Sequence, residues 1–291
     1  MNASLGGCWA KVQHAEHHFD FLCKEISDFQ ASNPYRISVK REEKDQSWIF
    51  HLWDVKPPDP AWGLILGDLL HDARSALDHL IYQLAILNLG RSLNDNEAGR
   101  VQFPVEEDAQ KFQRQEARRL KDLRAVDRAR LEELQPYNAW DESIWGPHEM
   151  PGPPAPIPLY LNELTKLNNI DKHRIINPVW MGAGMGLLPK GAHEIGITGG
   201  STTGEVLTDG CEIGRWHFGG NPPNVPEGFQ AGDYFSVQPS LREPFFGTSV
   251  KRIAANCLMA VRMTLEMFDP CVLSGQNPAP LKYWDGGPPW L

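Results

Sequence analysis

One stretch of the chain gathers side chains that could do chemistry at helical spacing. Within residues 67–83, Asp68, His71, Asp72, Ser75, His79 and Tyr82 recur every three or four positions. At 100° per residue they fall into one polar stripe. Leu66, Leu69, Leu70, Ala73, Leu77, Leu80 and Leu84 cover the rest of the wheel. A helix apolar on most sides is usually buried. A polar row on such a helix must find partners, because each unpaired buried polar group costs about 1–3 kcal/mol. The alternative is a solvated stripe on a half-exposed helix.

A second constellation is 168–174, Asn-Asn-Ile-Asp-Lys-His-Arg. On a helix whose apolar face is Tyr160, Leu164 and Leu167, Asp171 falls mid-face, flanked by Asn168 and Arg174. A carboxylate placed there needs partners. It could meet the Arg74/His79 region, or it could tie the helix end to the following β segment. His173 points away from it.

Arg74-Ser75-Ala76-Leu77-Asp78-His79 has an Arg, four residues, then a His. This resembles the signature of HEPN domains, small helical bundles that pair as dimers and include many metal-independent ribonucleases. The resemblance covers this one helix and a general four- or five-helix outline. It implies that Arg74 holds a scissile phosphate and stabilises its developing charge. It implies that His79 is general acid or base toward a ribose hydroxyl or leaving oxygen. On that reading Arg74 and His79 are catalytic, and Ser75, Asp72, His71, Tyr82 and Asp171 line the binding site. RNA is the partner, the protein is a homodimer, and the setting is a toxin or defence protein. Five helical residues separate Arg74 and His79 by about 140°, so two chains would build each site. The bland reading is that Arg74 and Asp78, spaced i,i+4, simply form an ion pair. A non-catalytic ligand-binding or assembly module of the same helical fold is the alternative function. The 159–174 sequence is also similar to a segment of uncharacterised bacterial proteins that carry an RSALDH-type helix upstream.

Other patterns exclude more than they suggest. His14 and His18 are an i,i+4 pair that could bind metal, but no carboxylate or third His is clearly in register, and the triplet with His17, opposite the Trp9/Phe19 stripe, reads as a solvated face. His71, His79, Asp68, Asp72 and Asp78 contain metal-capable atoms without an HExxH-type spacing, so a hydrolytic metal site ranks third behind the two readings above and no metal is expected. The glycine run 182–186 is followed by Leu187-Leu188-Pro189, which cannot open the helix of a dinucleotide fingerprint. With no P-loop and no GxSxG, no cofactor is expected.

The elements that must position these residues follow from pattern and punctuation. The expected fold is α+β, mainly helical: a bundle of four to five helices with an N-terminal hairpin and a β-rich insert before the last helix. Residues 1–174 form the bundle with a hairpin at 35–55. Residues 175–245 are the insert, 246–270 the closing helix and 271–291 an irregular tail, all within one compact unit. Helix 5–29 carries a stripe of Trp9, Val12, Phe19, Cys23 and Ile26 and ends at Asn33-Pro34. Helix 61–89 opens after Pro57-Pro58-Asp59-Pro60 and closes at Gly90. A charged third helix spans 107–134, a Pro-rich connector 146–158, a fourth helix 159–174 and a last helix 249–268, stopped by Pro270. β-type runs lie at 175–181, 194–198, 205–208, 211–216 and 234–238, with Asp209-Gly210 as a hairpin turn.

Composition sets outer limits. A net charge of -9 argues against a general nucleic-acid coat, though not against a locally basic cleft. No apolar run approaches the roughly 20 residues of a membrane helix, and no signal peptide is apparent. Five scattered cysteines without CxxC spacing predict reduced thiols in a cytoplasm.

Overall fold

The computed structural model describes residues 3–141, 157–185, 196–231, 235–242, 244–245 and 247–279. The fold is α+β, combining long helices with antiparallel strands. It divides into two compact units. The helical unit is Met1–Phe21, Leu64–Ile175 and Lys251–Leu291, and the β unit is Leu22–Gly63 and Ile176–Val250. A single compact unit is therefore not what the chain forms. No helix among the described residues is long and apolar enough to cross a membrane.

Helix α1 is Gly6–Ala31. Cys8, Val12, Ala15, Phe19, Leu22 and Ile26 are its buried residues, and their alternating spacing of four and three makes one stripe. Trp9 and Cys23, expected in that stripe, lie at its margin and are only half-buried. Helix α2 is Ala61–Leu89, with the expected bounds. The Asp59 carboxylate accepts from the Ala61 N–H at 2.8 Å, satisfying an early orphan donor. Gly90, at φ +67°, ends the helix, with its N–H on the Ile86 carbonyl at 2.9 Å.

The charged third helix is not continuous. After the single turn α3 (Asp95–Ala98) come α4 (Ala109–Gln115), a π turn (Glu116–Leu120) and α5 (Ala125–Glu133). Between them Arg124 takes an extended backbone. Its guanidinium grips the fully buried Asp127 at 2.8 Å and donates to the carbonyls of Gly275 and Gln276 at 3.1 Å. A buried carboxylate needs this pairing, and the break in the helix supplies it. Helix α6, Ile157–His173, includes Pro158 in its first turn, where the missing N–H costs nothing. Most of the Pro-rich connector lies outside the described residues. Helix α7, Val250–Ser274, passes through Pro270 instead of ending before it. Only one backbone bond is forfeited there, and Gly275 at φ +66° caps the helix five residues later.

In the β unit, β1 (Arg36–Glu42) and β2 (Ser47–Trp53) form the expected hairpin. The other edge of β2 pairs with β5 (Glu212–Phe218), which pairs with β4 (Ile197–Thr202), in an antiparallel order β1-β2-β5-β4. The hairpin therefore belongs with the later strands and not with the helices. Strands β3 (Val179–Met185) and β6 (Phe235–Ser240) form a second, two-stranded sheet. The 205–208 run contributes one bridge, Val206 to Met181, and Gly210 turns at φ +77°. Trp48, Phe50 and Leu52 alternate on β2 and bury with Trp216, Phe218, Phe235 and Val237. Rings of Phe50 and Phe235 sit 4.4 Å apart, and those of Phe50 and Trp216 5.0 Å apart. Gly214 is required at that crossing: a Cβ there would lie 2.6 Å from both the Phe235 ring and the Ser201 carbonyl oxygen.

Candidate functional site

Within the helical unit, α1 lies antiparallel along the polar row of α2. The Ser4 N–H donates to Gln83 Oε1 at 2.9 Å. A Cβ on Gly7 would touch His79 Nδ1 at 3.8 Å. Lys11 and His14 reach Asp72. Residue numbers climb on one helix as they fall on the other. The row is thus neither wholly buried nor a free solvated stripe; it is the rim of the α1/α2 seam. Asp72 alone is buried, Ser75 and Tyr82 are half-buried, and Asp68, His71 and His79 are exposed.

Asp72 has the partners that a buried carboxylate demands. Lys11 Nζ donates to Oδ1 at 2.8 Å, and His14 Nδ1 is hydrogen-bonded to Oδ2. Burial pushes its pKa up, but the bonds from Lys11 and His14 outweigh that and hold it below the ordinary value. The His18 ring stands edge-on to His14, with centroids 4.6 Å apart. The carboxylate missing from the histidines' own helix is therefore supplied by α2. His14 and His17 are exposed and His18 half-buried, in line with a solvated face, but the expectation that no carboxylate is in register is corrected.

Arg74 is not presented to a ligand. It is 7% exposed. Its NH2 donates to the Phe103 carbonyl and to Asp78 Oδ1 at 3.1 Å, and NH1 reaches Thr165 Oγ1 on α6 at 3.4 Å. The guanidinium also lies over the Phe103 ring at 5.9 Å. Asp78 Oδ1 accepts in turn from the Phe103 N–H at 2.9 Å. Together Arg74 and Asp78 clamp the backbone at 103 to α2, and Arg74 joins α2 to α6. Burial pulls the Arg74 pKa down, against the opposing pull of Asp78. The i,i+4 ion pair is present. His79, on the α1 side, shares none of these partners, so the two residues are engaged on different neighbours.

Asp171 meets the other end of the row. Its carboxylate packs on the bare backbone of Gly67: a Cβ there would lie 2.6 Å from Cγ and 2.7 Å from Oδ2. Only glycine lets α6 bring a carboxylate so close to α2. Burial, and next to it the neighbouring Asp68 charge, raise the Asp171 pKa, while His71 lowers it. Asp171 is half-buried. Among the described residues it has neither the cation partner nor the backbone amides expected for it, and it meets neither Arg74 nor His79. His173 is exposed, as its place on the wheel requires.

Lys11 and Gly67 are functional candidates that the sequence did not single out, and His14 and His18 are ones that it set aside. Gly67 leaves a trace, a glycine within an otherwise apolar helical run. The His14/His18 pair is visible, but its carboxylate is 58 residues from His14. No protein-family model, curated protein or solved structure matches the chain.

Proposed function

We propose that the helical unit is a non-catalytic ligand-binding module, in which α1, α2, α6 and α7 act as a four-helix bundle of HEPN-like outline. The observation that carries this reading over the ribonuclease reading is the commitment of Arg74. A phosphate-binding guanidinium must offer its donors to the ligand. Here they serve the Phe103 carbonyl, Asp78 and Thr165, and releasing them would deprive the buried Phe103 carbonyl of this donor. Nothing in this reading requires a dimer.

The ligand-binding position is the cradle of Gly67, Asp68, His71 and Asp171. Two carboxylates stand near each other there with no Lys or Arg paired to either among the described residues, and burial first, then the Asp68 charge, raise the pKa of Asp171. Such a pair is relieved by a proton or by a positively charged ligand. The chemistry that fits is a small organic cation bearing an ammonium group. Ethylammonium, 1,4-diaminobutane and spermidine are suitable probes in a thermal-shift titration at pH 7. Saturable stabilisation of the wild type that is lost in Asp171→Asn supports the assignment. Equal shifts in both proteins, or none in the wild type, count against it.

A further inference from the structure

We propose that His14 and His18 of α1 and Asp72 of α2 form a binding site for a divalent transition-metal ion of the zinc or cobalt type. The site uses none of the residues of the Asp171 cradle and stands or falls independently of it.

The donor set is the first argument. His14 and His18 are one helical turn apart, so their rings project from the same side of α1. Asp72 projects toward them from the antiparallel neighbour. One ligand atom from each residue lies within 4.8 Å of the others. Two imidazole nitrogens and one carboxylate oxygen suit zinc and its first-row neighbours better than magnesium or calcium, which take oxygen.

Geometry is the second argument. Bonds to such an ion are about 2.0–2.2 Å long, so its ligand atoms stand roughly 3–3.5 Å apart in a tetrahedral shell. The three residues place their ligand atoms in the neighbourhood of that value. His14 Nδ1 and Asp72 Oδ2 are in hydrogen-bond contact, and the widest separation in the group does not exceed 4.8 Å. The separations are thus within side-chain reach of a shared ion.

The surroundings are the third argument. Asp72 is held still: its side chain is 8% exposed, and Lys11 fixes Oδ1 while Oδ2 meets His14. A partner on the second oxygen of a ligating carboxylate is what orients it for an ion. The His14 side chain is 62% exposed, which leaves an entry path and room for water on the remaining coordination positions. An ordinary buried ion pair would be complete with Lys11 and Asp72 alone. His14 adds a donor that this pair does not need, and the His18 ring stands edge-on to His14 with its nearest ligand atom within 4.8 Å of the others.

The test uses the full chain, purified without a histidine tag and stripped with EDTA. Zinc and cobalt salts are titrated by calorimetry, and bound cobalt is followed by its visible d–d bands. The wild type should take up one equivalent and melt at a higher temperature with zinc. His14→Gln, His18→Gln and Asp72→Asn should each weaken binding by about tenfold or more, with circular dichroism confirming that each variant is folded. His17→Gln, outside the ligand set, should bind as wild type does. Because His14→Gln and His18→Gln change residues at the helix surface, they keep the test decisive if Asp72→Asn fails to fold. Absence of saturable binding by the wild type, or affinity unchanged within twofold in the double variant His14→Gln/His18→Gln, would overturn the proposal.

Discussion

Replacing Arg74 by Ala removes a side chain that joins three parts of the helical unit. The Phe103 carbonyl and Thr165 each lose a donor, and Asp78 loses its ion-pair partner. The packing of the guanidinium on the Phe103 ring also goes. A hydrogen bond to a charged group contributes about 1.5–3 kcal/mol, and breaking a fully buried ion pair costs about 3–5 kcal/mol. The Asp78 side chain is 32% exposed, so water compensates part of its loss and the lower end of that range applies. The expected destabilisation is about 3 kcal/mol, large against total stabilities of about 5–15 kcal/mol. Arg74→Lys should retain part of it, since one ammonium cannot reach three acceptors in the same fork geometry. Urea denaturation followed by circular dichroism measures both. Arg74→Ala within about 0.5 kcal/mol of wild type would refute the clamp and return Arg74 to the pool of residues free to bind a ligand.

Asp171→Asn should raise thermal stability at pH 7. Its folded pKa lies above the unfolded value, so folding favours the protonated form, and the charged form carries the penalty once the pH exceeds the folded pKa. The advantage of Asn should shrink as pH falls through that raised pKa toward 3.8 and vanish below it. Melting curves at several pH values check this, and an advantage that persists at low pH would contradict it. Gly214→Ala should cost about 1–3 kcal/mol, the range for overpacking, because its Cβ meets the Ser201 backbone as well as the Phe235 ring; a neutral result in chemical denaturation would show that β5 can shift.

Local signals in the sequence located elements better than partners. Helix α2 was readable end to end because a Pro-rich opening, a sustained apolar pattern and Gly90 all agree. Strand β2 was readable from its alternation, yet its pairing with β5 was not, since a strand's second edge leaves no mark in its own residues. Punctuation misled in two places. Pro270 sits where the helix can spare one bond, and Arg124 breaks a charged run for the sake of Asp127, a residue buried only in three dimensions. The candidate site shows the same division. The polar row of α2 and the Arg74–Asp78 pair follow from spacing along one helix. The meeting of His14 with Asp72, of Asp171 with Gly67 and of Arg74 with the backbone at 103 depends on which helices pack together.

The most direct test of a binding module against a nuclease is the incubation of purified protein with mixed cellular RNA, with and without EDTA, resolved by gel. His79→Ala is the comparison, since the exposed His79 lies outside the Arg74 clamp and its loss should leave the melting temperature unchanged. If the helical unit is a binding module, wild type and His79→Ala should leave RNA equally intact in both conditions. Cleavage by the wild type that survives EDTA and disappears in a fully folded His79→Ala would contradict it.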